Sequence, residues 1–150
     1  MTPPTVSAVL FDLDGTLIDT APEFIHIGLQ LRAEAGLPPI DAKTIWHSVS
    51  NGAIGMVEAA LEMPADDPAF EQWRQRFLTL YEGGLGDLSH PYPGLSGLVA
   101  GLHKAGIAWG IVTNKLSRFA LPLMDKMPFD PAAGAVVTPD HVDRPKPDPE

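Results

Sequence analysis

Four apolar residues, Ala8 to Phe11, lead directly into two carboxylates, Asp12 and Asp14, and then a glycine. A nearly wholly apolar run of this kind is typical of a parallel β-strand that is covered on both faces. Because strand side chains alternate between faces, residues two apart point the same way, so Asp12 and Asp14 are aimed at one shared volume. Two like charges this close favour a positive group between them, such as a magnesium ion. The alternative is an acidic turn whose solvated carboxylates simply end the strand.

Composition limits the class of protein. With 150 residues, 45% of them hydrophobic, the chain is large enough to bury one core, and one main domain with an insertion is expected. The net charge of −9 argues against a nucleic-acid partner, and no stretch is long and apolar enough for a membrane partner. Without cysteines or a secretory leader, the chain is expected to be cytoplasmic and free of disulfides. The oligomeric state stays open.

The pattern of apolar residues divides the chain into three regions. The first strand is predicted over Thr5–Asp12, followed by a loop. Residues 20–88 have a helical period, and Thr20–Glu23 has the form of a capping box that starts a helix. From about residue 91, helices and strands alternate, with strands predicted over Ile107–Thr113 and Ala135–Val137. This alternation predicts an α/β fold with a doubly wound parallel sheet, whose ligands bind beyond the carboxyl ends of the strands.

Groups suited to phosphate follow the later strands. The Thr113 hydroxyl and the amides after it can bind phosphate oxygens, and the Lys146 ammonium can hold both a phosphate and a carboxylate. Taken singly, Thr113 could be a strand end or a helix cap, and Lys146 a solvated loop lysine.

Three motifs occur in a fixed order: FDLDGT, then VTNK, then RPKPDPE, with the helical region between the first two. In this order they resemble the first three motifs of the haloacid dehalogenase-like hydrolase superfamily, in its subgroup with a helical cap. The resemblance implies a Rossmann-like core at residues 1–19 and 89–150 and a cap at residues 20–88. The superfamily completes its metal site with an acidic motif after a further strand, so the C-terminal part of the core is expected to be missing from this sequence.

The resemblance also implies residue roles. Asp12 would be the nucleophile that forms an aspartyl-phosphate, and Asp14 the general acid and base. Magnesium would be the cofactor, with Asp12 and Asp14 as its ligands. An acid at position 14 favours phosphoester hydrolysis over dehalogenation, because an alkoxide leaving group needs a proton and a halide does not. The phosphate-binding residues implied are Gly15, Thr113, Asn114 and Lys146.

The substrate is expected to be a small phosphorylated metabolite chosen by the cap. Ser50, Asn51 and Gly52 open a helix in a form suited to an anionic or hydroxylated ligand, although a plain helix start is the alternative. SNGAIGMVEAAL, HPYPG and VTNK resemble the phosphoglycolate phosphatases, whereas LPPID, WGIVTNK and PDHVDRPKPDPE resemble the N-acetylmuramic acid 6-phosphate phosphatases. Both substrates stay open, as do two other functions: a phosphomutase of the same superfamily and a non-catalytic module that binds a phosphometabolite.

Overall fold

The computed structural model of the protein describes residues 6–150. They form two compact units, one of residues up to Asp19 together with His90–Glu150, and one of Thr20–Ser89. The helices and strands in chain order are β1 (Ala8–Phe11), β2 (Ile18–Asp19), α1 (Ala21–Glu34), α2 (Ala42–Trp46), α3 (Gly52–Leu61), α4 (Phe70–Gly83), β3 (His90–Pro91), α5 (Leu95–Lys104), β4 (Ala108–Val112), α6 (Ser117–Asp125) and β5 (Val136–Val137). The assignment of separate roles to a core and a cap stays a prediction.

The first unit contains a three-stranded parallel sheet in the order β1-β4-β5. β1 and β4 are in register from Ala8 opposite Ala108 to Phe11 opposite Ile111, so both strands end at the same edge. Helix α5 precedes β4, and helix α6 connects β4 to β5. This alternation of helices and parallel strands confirms the predicted α/β class with a parallel sheet. The predicted start of the first strand at Thr5 lies outside the described residues.

β1 is less buried than its apolar sequence suggests. Burial alternates along the strand, and the Leu10 side chain is 65% exposed. The expectation that both faces are covered is therefore wrong for the described residues. The reason is that, among the described residues, the face of β1 that carries Ala8 and Leu10 is not covered by other elements. The apolar core of this unit instead gathers residues from the loop after β1, from β2, from β4 and from the helices: Leu13, Leu17, Ile18, Val99, Ile111 and Leu123.

The second unit is helical, as its sequence period predicts. Helix α1 packs against α3 and α4, and α3 also packs against α4. Its buried apolar residues come from all four helices and include Leu31, Ile45, Met56, Val57 and Phe77. No helix among residues 6–150 has the length and apolar character needed to cross a membrane.

The predicted capping box at the start of α1 does not form. Helix α1 does begin after Thr20, but the Thr20 side chain makes no capping hydrogen bond. The Glu23 carboxylate, which is buried, accepts hydrogen bonds from the Gly86 amide at 2.6 Å and from the Ser89 hydroxyl. A buried carboxylate needs hydrogen-bond donors, and Glu23 finds them at Gly86 and Ser89. Its side chain is therefore not directed back to the backbone at the start of the helix, as a capping box requires.

Candidate active site

The two predicted carboxylates lie just beyond the carboxyl end of β1. Asp12 follows the last residue of the strand, and its Oδ1 accepts a hydrogen bond from the Leu13 amide at 2.8 Å. After Asp14 the chain turns at Gly15, which has a φ of +75°. A residue with a side chain is strained at such an angle, so glycine suits this turn. The Leu13 carbonyl accepts hydrogen bonds from the amides of Leu17 and Ile18, and these bonds close the turn.

Lys146 lies against Asp12, as the sequence predicts for a lysine that holds a carboxylate. Its Nζ is 2.9 Å from Asp12 Oδ1, although 134 positions separate the two residues in the chain. The two side chains are 33% and 48% exposed, so the pair is open to solvent and to a ligand. An ammonium at this distance can orient the carboxylate and still attract an anion such as phosphate.

Asp14 has a lysine partner of its own, Lys115. The distance from Lys115 Nζ to Asp14 Oδ1 is 2.8 Å, and only 7% of the lysine side chain is exposed. Sequence reasoning does not single out Lys115 as a site residue. The signal that could have found it is its position: it directly follows Thr113 and Asn114 after β4, and β4 is the parallel neighbour of β1.

Thr113 and Asn114 occupy the turn after β4. The Thr113 side chain is buried, and its Oγ1 accepts a hydrogen bond from the Lys115 amide at 3.1 Å. Asn114 donates from Nδ2 to the Lys146 carbonyl oxygen at 3.2 Å, so its side chain connects this turn to the segment that carries Lys146. An open, shallow cleft is lined by Thr113 and Lys146 and also by Thr138.

The structure thus brings together six residues of the first unit: Asp12, Asp14, Gly15, Thr113, Asn114 and Lys146. The three predicted cap residues, Ser50, Asn51 and Gly52, belong to the second unit. Ser50 and Asn51 lie in a single 3-10 turn, and Gly52 begins α3 with a φ of +62°. Asn51 occupies the N-cap position of α3 without a side-chain capping bond.

Asp12 and Asp14 carry the kind of donor atoms that magnesium prefers. Magnesium is held in proteins by one or two carboxylates, with water and substrate phosphate completing its shell. Asp12 and Asp14 offer hard oxygen donors on side chains that are 48% and 36% exposed, which fits such a partial ligand set. Across residues 6–150 there is no group of three or more His, Cys, Asp or Glu side chains arranged to hold a metal. Within the part of the chain that the structure describes, Asp12 and Asp14 are the candidate magnesium ligands.

Known proteins are similar to this chain in sequence and in fold. An N-acetylmuramic acid 6-phosphate phosphatase from Pseudomonas aeruginosa is 49% identical over 145 residues, which are 97% of this chain and 64% of that protein. A phosphoglycolate phosphatase from Caulobacter vibrioides is 33% identical over 145 residues, which are 95% of this chain and 61% of that protein. The chain thus spans less than two thirds of the length of these curated relatives.

A solved structure shares the fold at lower identity. The crystal structure of a predicted phosphoglycolate phosphatase from Haemophilus somnus 129PT superimposes with a TM-score of 0.78 at 21% identity, over 95% of this chain and 66% of that one. The family model described as haloacid dehalogenase-like hydrolase matches residues 9–150, a span that includes both carboxylates and both lysines of the site. Because this match covers nearly the whole sequence, the chain belongs to the haloacid dehalogenase-like hydrolases.

Proposed function

We propose that the protein is a magnesium-dependent phosphatase that hydrolyses a small phosphomonoester through an aspartyl-phosphate on Asp12. The observation that carries this proposal is the pairing of two neighbouring carboxylates with two separate lysines, Asp12 with Lys146 and Asp14 with Lys115, at the carboxyl ends of parallel strands. One carboxylate can then attack phosphorus while the other donates and accepts protons. The lysines supply positive charge near the phosphoryl oxygens.

In the first half of the proposed reaction, an Asp12 oxygen attacks phosphorus and forms an acyl-phosphate bond. The bond from phosphorus to the leaving alcohol oxygen breaks, and Asp14 gives that oxygen a proton. In the second half, Asp14 takes a proton from water as the water attacks phosphorus. The bond to Asp12 then breaks, which releases inorganic phosphate, restores the Asp12 carboxylate and leaves Asp14 protonated for the next cycle.

The remaining site residues would hold the phosphoryl group. The exposed part of Lys146 can neutralise charge on its oxygens, and the Thr113 hydroxyl and the Asn114 amide can donate hydrogen bonds to them. Asp12 and Asp14 would hold magnesium, which supplies further positive charge to the phosphoryl oxygens when it is bound. Gly15 lets the backbone turn closely beside the phosphate.

For the substrate we propose N-acetylmuramic acid 6-phosphate, with 2-phosphoglycolate as the second candidate. The first rests on the relative that is 49% identical, and the second on the relative that is 33% identical. The role of Ser50, Asn51 and Gly52 in choosing between such substrates stays a prediction. A small phosphorylated metabolite is the partner in either case.

The test is the release of inorganic phosphate by the full-length protein from each of the two substrates. Wild type and Asp12→Asn are compared with magnesium and after its removal by a chelator. We expect release that needs both Asp12 and magnesium, with the higher kcat/KM on N-acetylmuramic acid 6-phosphate. Release that survives in Asp12→Asn would contradict the aspartyl-phosphate mechanism. Activity that appears only with a bisphosphate activator would point to a mutase, and binding without turnover to a binding module.

A further inference from the structure

One carboxylate outside the proposed catalytic set, Asp140, gathers three hydrogen-bond donors. The Ser117 amide donates to its Oδ1 at 3.0 Å, and the Thr138 hydroxyl donates to the same oxygen at 2.7 Å. The Ser117 hydroxyl donates to Oδ2. These hydrogen bonds, with that of the Ser117 side chain as the largest cause, hold the pKa of Asp140 well below its usual range. Asp140 is therefore a charged acceptor at the start of α6.

The chain just before Asp140 also fixes the other end of the turn after β4, residues 113–117. The Thr113 amide donates to the Val137 carbonyl at 3.0 Å, and the Ile111 amide donates to the Ala135 carbonyl at 2.9 Å, as β4 pairs with β5. Residues 113–117 are thus held at their first residue by Val137 and at their last by Asp140. Thr138, which lies between these two contacts, is only 1% exposed.

We infer that Asp140 is a positioning residue for the phosphate-binding turn 113–117. This inference rests on the proposed function, because it assumes that Thr113 and Asn114, at the start of this turn, bind a phosphoryl group. Donors that stabilise developing charge are effective when they are already in place, and a displacement of about 1 Å can lower a rate by about 100-fold. Without Asp140, the turn keeps its hydrogen bonds at Thr113 and Asn114 and the ion pair of Lys115, but it loses the attachment at Ser117.

A purely structural role makes a different prediction. If Asp140 only caps α6, its removal lowers the melting temperature and leaves the affinity of the folded protein for phosphate unchanged. Positioning of the turn requires that phosphate affinity falls even at temperatures where the variant is fully folded. Binding of inorganic phosphate therefore separates the two roles without any need for turnover.

The experiment compares three variants of the full-length protein. Asp140→Ala removes all three hydrogen bonds. Asp140→Asn is the conservative variant, because its amide oxygen can still accept from Ser117 N and Thr138 Oγ1 while its NH2 group donates to the Ser117 hydroxyl. Glu71→Ala is the matched control: Glu71 also accepts side-chain hydrogen bonds, from Arg74 and Gln75, but it lies on α4 in the second unit.

The readouts are the dissociation constant of inorganic phosphate in the presence of magnesium, measured by calorimetry, and kcat/KM on the better substrate. For Asp140→Ala we expect about tenfold weaker phosphate binding and a fall in kcat/KM of about 10- to 100-fold. Asp140→Asn should stay within about threefold of wild type in both, since it keeps the geometry. Glu71→Ala should equal wild type. Circular dichroism at the assay temperature establishes that each variant is folded.

The inference is overturned if folded Asp140→Ala binds phosphate as tightly as wild type, or if Glu71→Ala loses the same affinity. Should Asp140→Ala not fold, Ser117→Ala serves instead, because it removes only the hydroxyl bond to Oδ2. We expect about threefold weaker phosphate binding for it, in keeping with the loss of one hydrogen bond, and unchanged affinity overturns the inference. The failure of the proposed function is distinct, because wild type itself would then release no phosphate from either substrate.

Discussion

The ammonium of Lys115 and the carboxylate of Asp14 form an ion pair in which the lysine is the buried partner. The Lys115 side chain is 7% exposed and that of Asp14 is 36% exposed. In the neighbouring pair of Lys146 and Asp12 the exposed fractions are 33% and 48%. The two aspartates are only two residues apart, yet the cations beside them are in different surroundings, and the cost of removing each aspartate differs accordingly.

Replacement of Asp14 by alanine should therefore destabilise the protein more than replacement of Asp12. Asp14→Ala takes an anionic partner from a nearly buried ammonium, which costs about 1–3 kcal/mol in the free energy of unfolding. Asp12→Ala leaves Lys146 in contact with water, and we expect a loss below about 1 kcal/mol. Urea denaturation of both variants measures the difference. Equal losses, or a larger loss for Asp12→Ala, would show that burial of Lys115 does not control stability here.

A second prediction concerns two glycines in helices, whose replacement by alanine should change the free energy of unfolding in opposite directions. A Cβ atom at Gly55 would lie 2.4 Å from Asn51 Cβ and 2.9 Å from the Ser48 carbonyl oxygen, so Gly55→Ala forces the 3-10 turn before α3 to move. We expect a loss of about 1–3 kcal/mol in the free energy of unfolding. At Gly101, inside α5, a Cβ atom meets nothing within 4 Å.

The matched variant Gly101→Ala should stabilise the protein by about 0.5–1 kcal/mol, because alanine is the better helix former. Thermal unfolding of the two variants and wild type measures both changes: the melting temperature should fall for Gly55→Ala and rise for Gly101→Ala. A stabilising Gly55→Ala would mean that the turn at Asn51 accommodates a side chain, contrary to the packing observed.

The sequence predicts well those features that depend on local pattern. Asp12 and Asp14 can be located because an apolar run ends at them, and β4 can be placed because Ile111 and its neighbours read as a buried strand. The pairing of Asp12 with Lys146 could be anticipated only from the order of the motifs, since 134 positions separate the two residues. Asp12 follows β1 and Lys146 follows β5, so both lie at one edge of the sheet because β1 pairs in parallel with β4 and β4 in parallel with β5.

The features that sequence reasoning misses depend on contacts between distant segments. Glu23 has the spacing of a capping residue, but its carboxylate binds Gly86 and Ser89, which are 63 and 66 positions away. A local motif says nothing about donors that arrive from another part of the chain. Lys115 is missed for a related reason: a lysine after a strand is usually solvated, and only the three-dimensional structure shows that this one is nearly buried against Asp14.

A third prediction uses the ion pair between α1 and α4. Glu34 accepts two hydrogen bonds of 2.9 Å from Arg76 and one from Gln30, and these bonds, with that of Arg76 as the largest cause, lower the pKa of Glu34 to about 2. Because the folded-state pKa lies below the unfolded value of 4.5, this carboxylate stabilises the protein fully above about pH 4.5. The contribution is lost as the pH falls from there toward about 2.

At pH 6 we expect the melting temperature of Glu34→Gln to lie roughly 1–2 °C below that of wild type, the size of effect typical of an exposed pair. The difference should shrink as the pH falls below about 4.5, where Glu34 begins to protonate in the unfolded chain. It should also shrink in 1 M salt, where the Debye length is about 3 Å. Calorimetry at several pH values measures it, and a difference that does not change with pH would contradict the assigned ion pair.

The last prediction concerns the buried guanidinium of Arg32, which is 6% exposed. It donates to the carbonyl oxygens of Ala60, at 2.8 Å, and of Pro38, and it lies 3.0 Å from the carboxylate of Glu62. Arg32→Met keeps the apolar volume but leaves both carbonyls without this donor, so we expect a loss of about 2–4 kcal/mol in the free energy of unfolding.

Glu62, the charged partner of Arg32, has a side chain that is 71% exposed and a φ of +53° at the end of α3. Glu62→Gly should therefore change the free energy of unfolding by less than about 1 kcal/mol, since glycine relieves the left-handed conformation, and the buried guanidinium loses an exposed anion but keeps both carbonyl acceptors. Urea denaturation of the two variants distinguishes the roles: if Glu62→Gly is as destabilising as Arg32→Met, the ion pair stabilises this unit and the two carbonyl bonds do not.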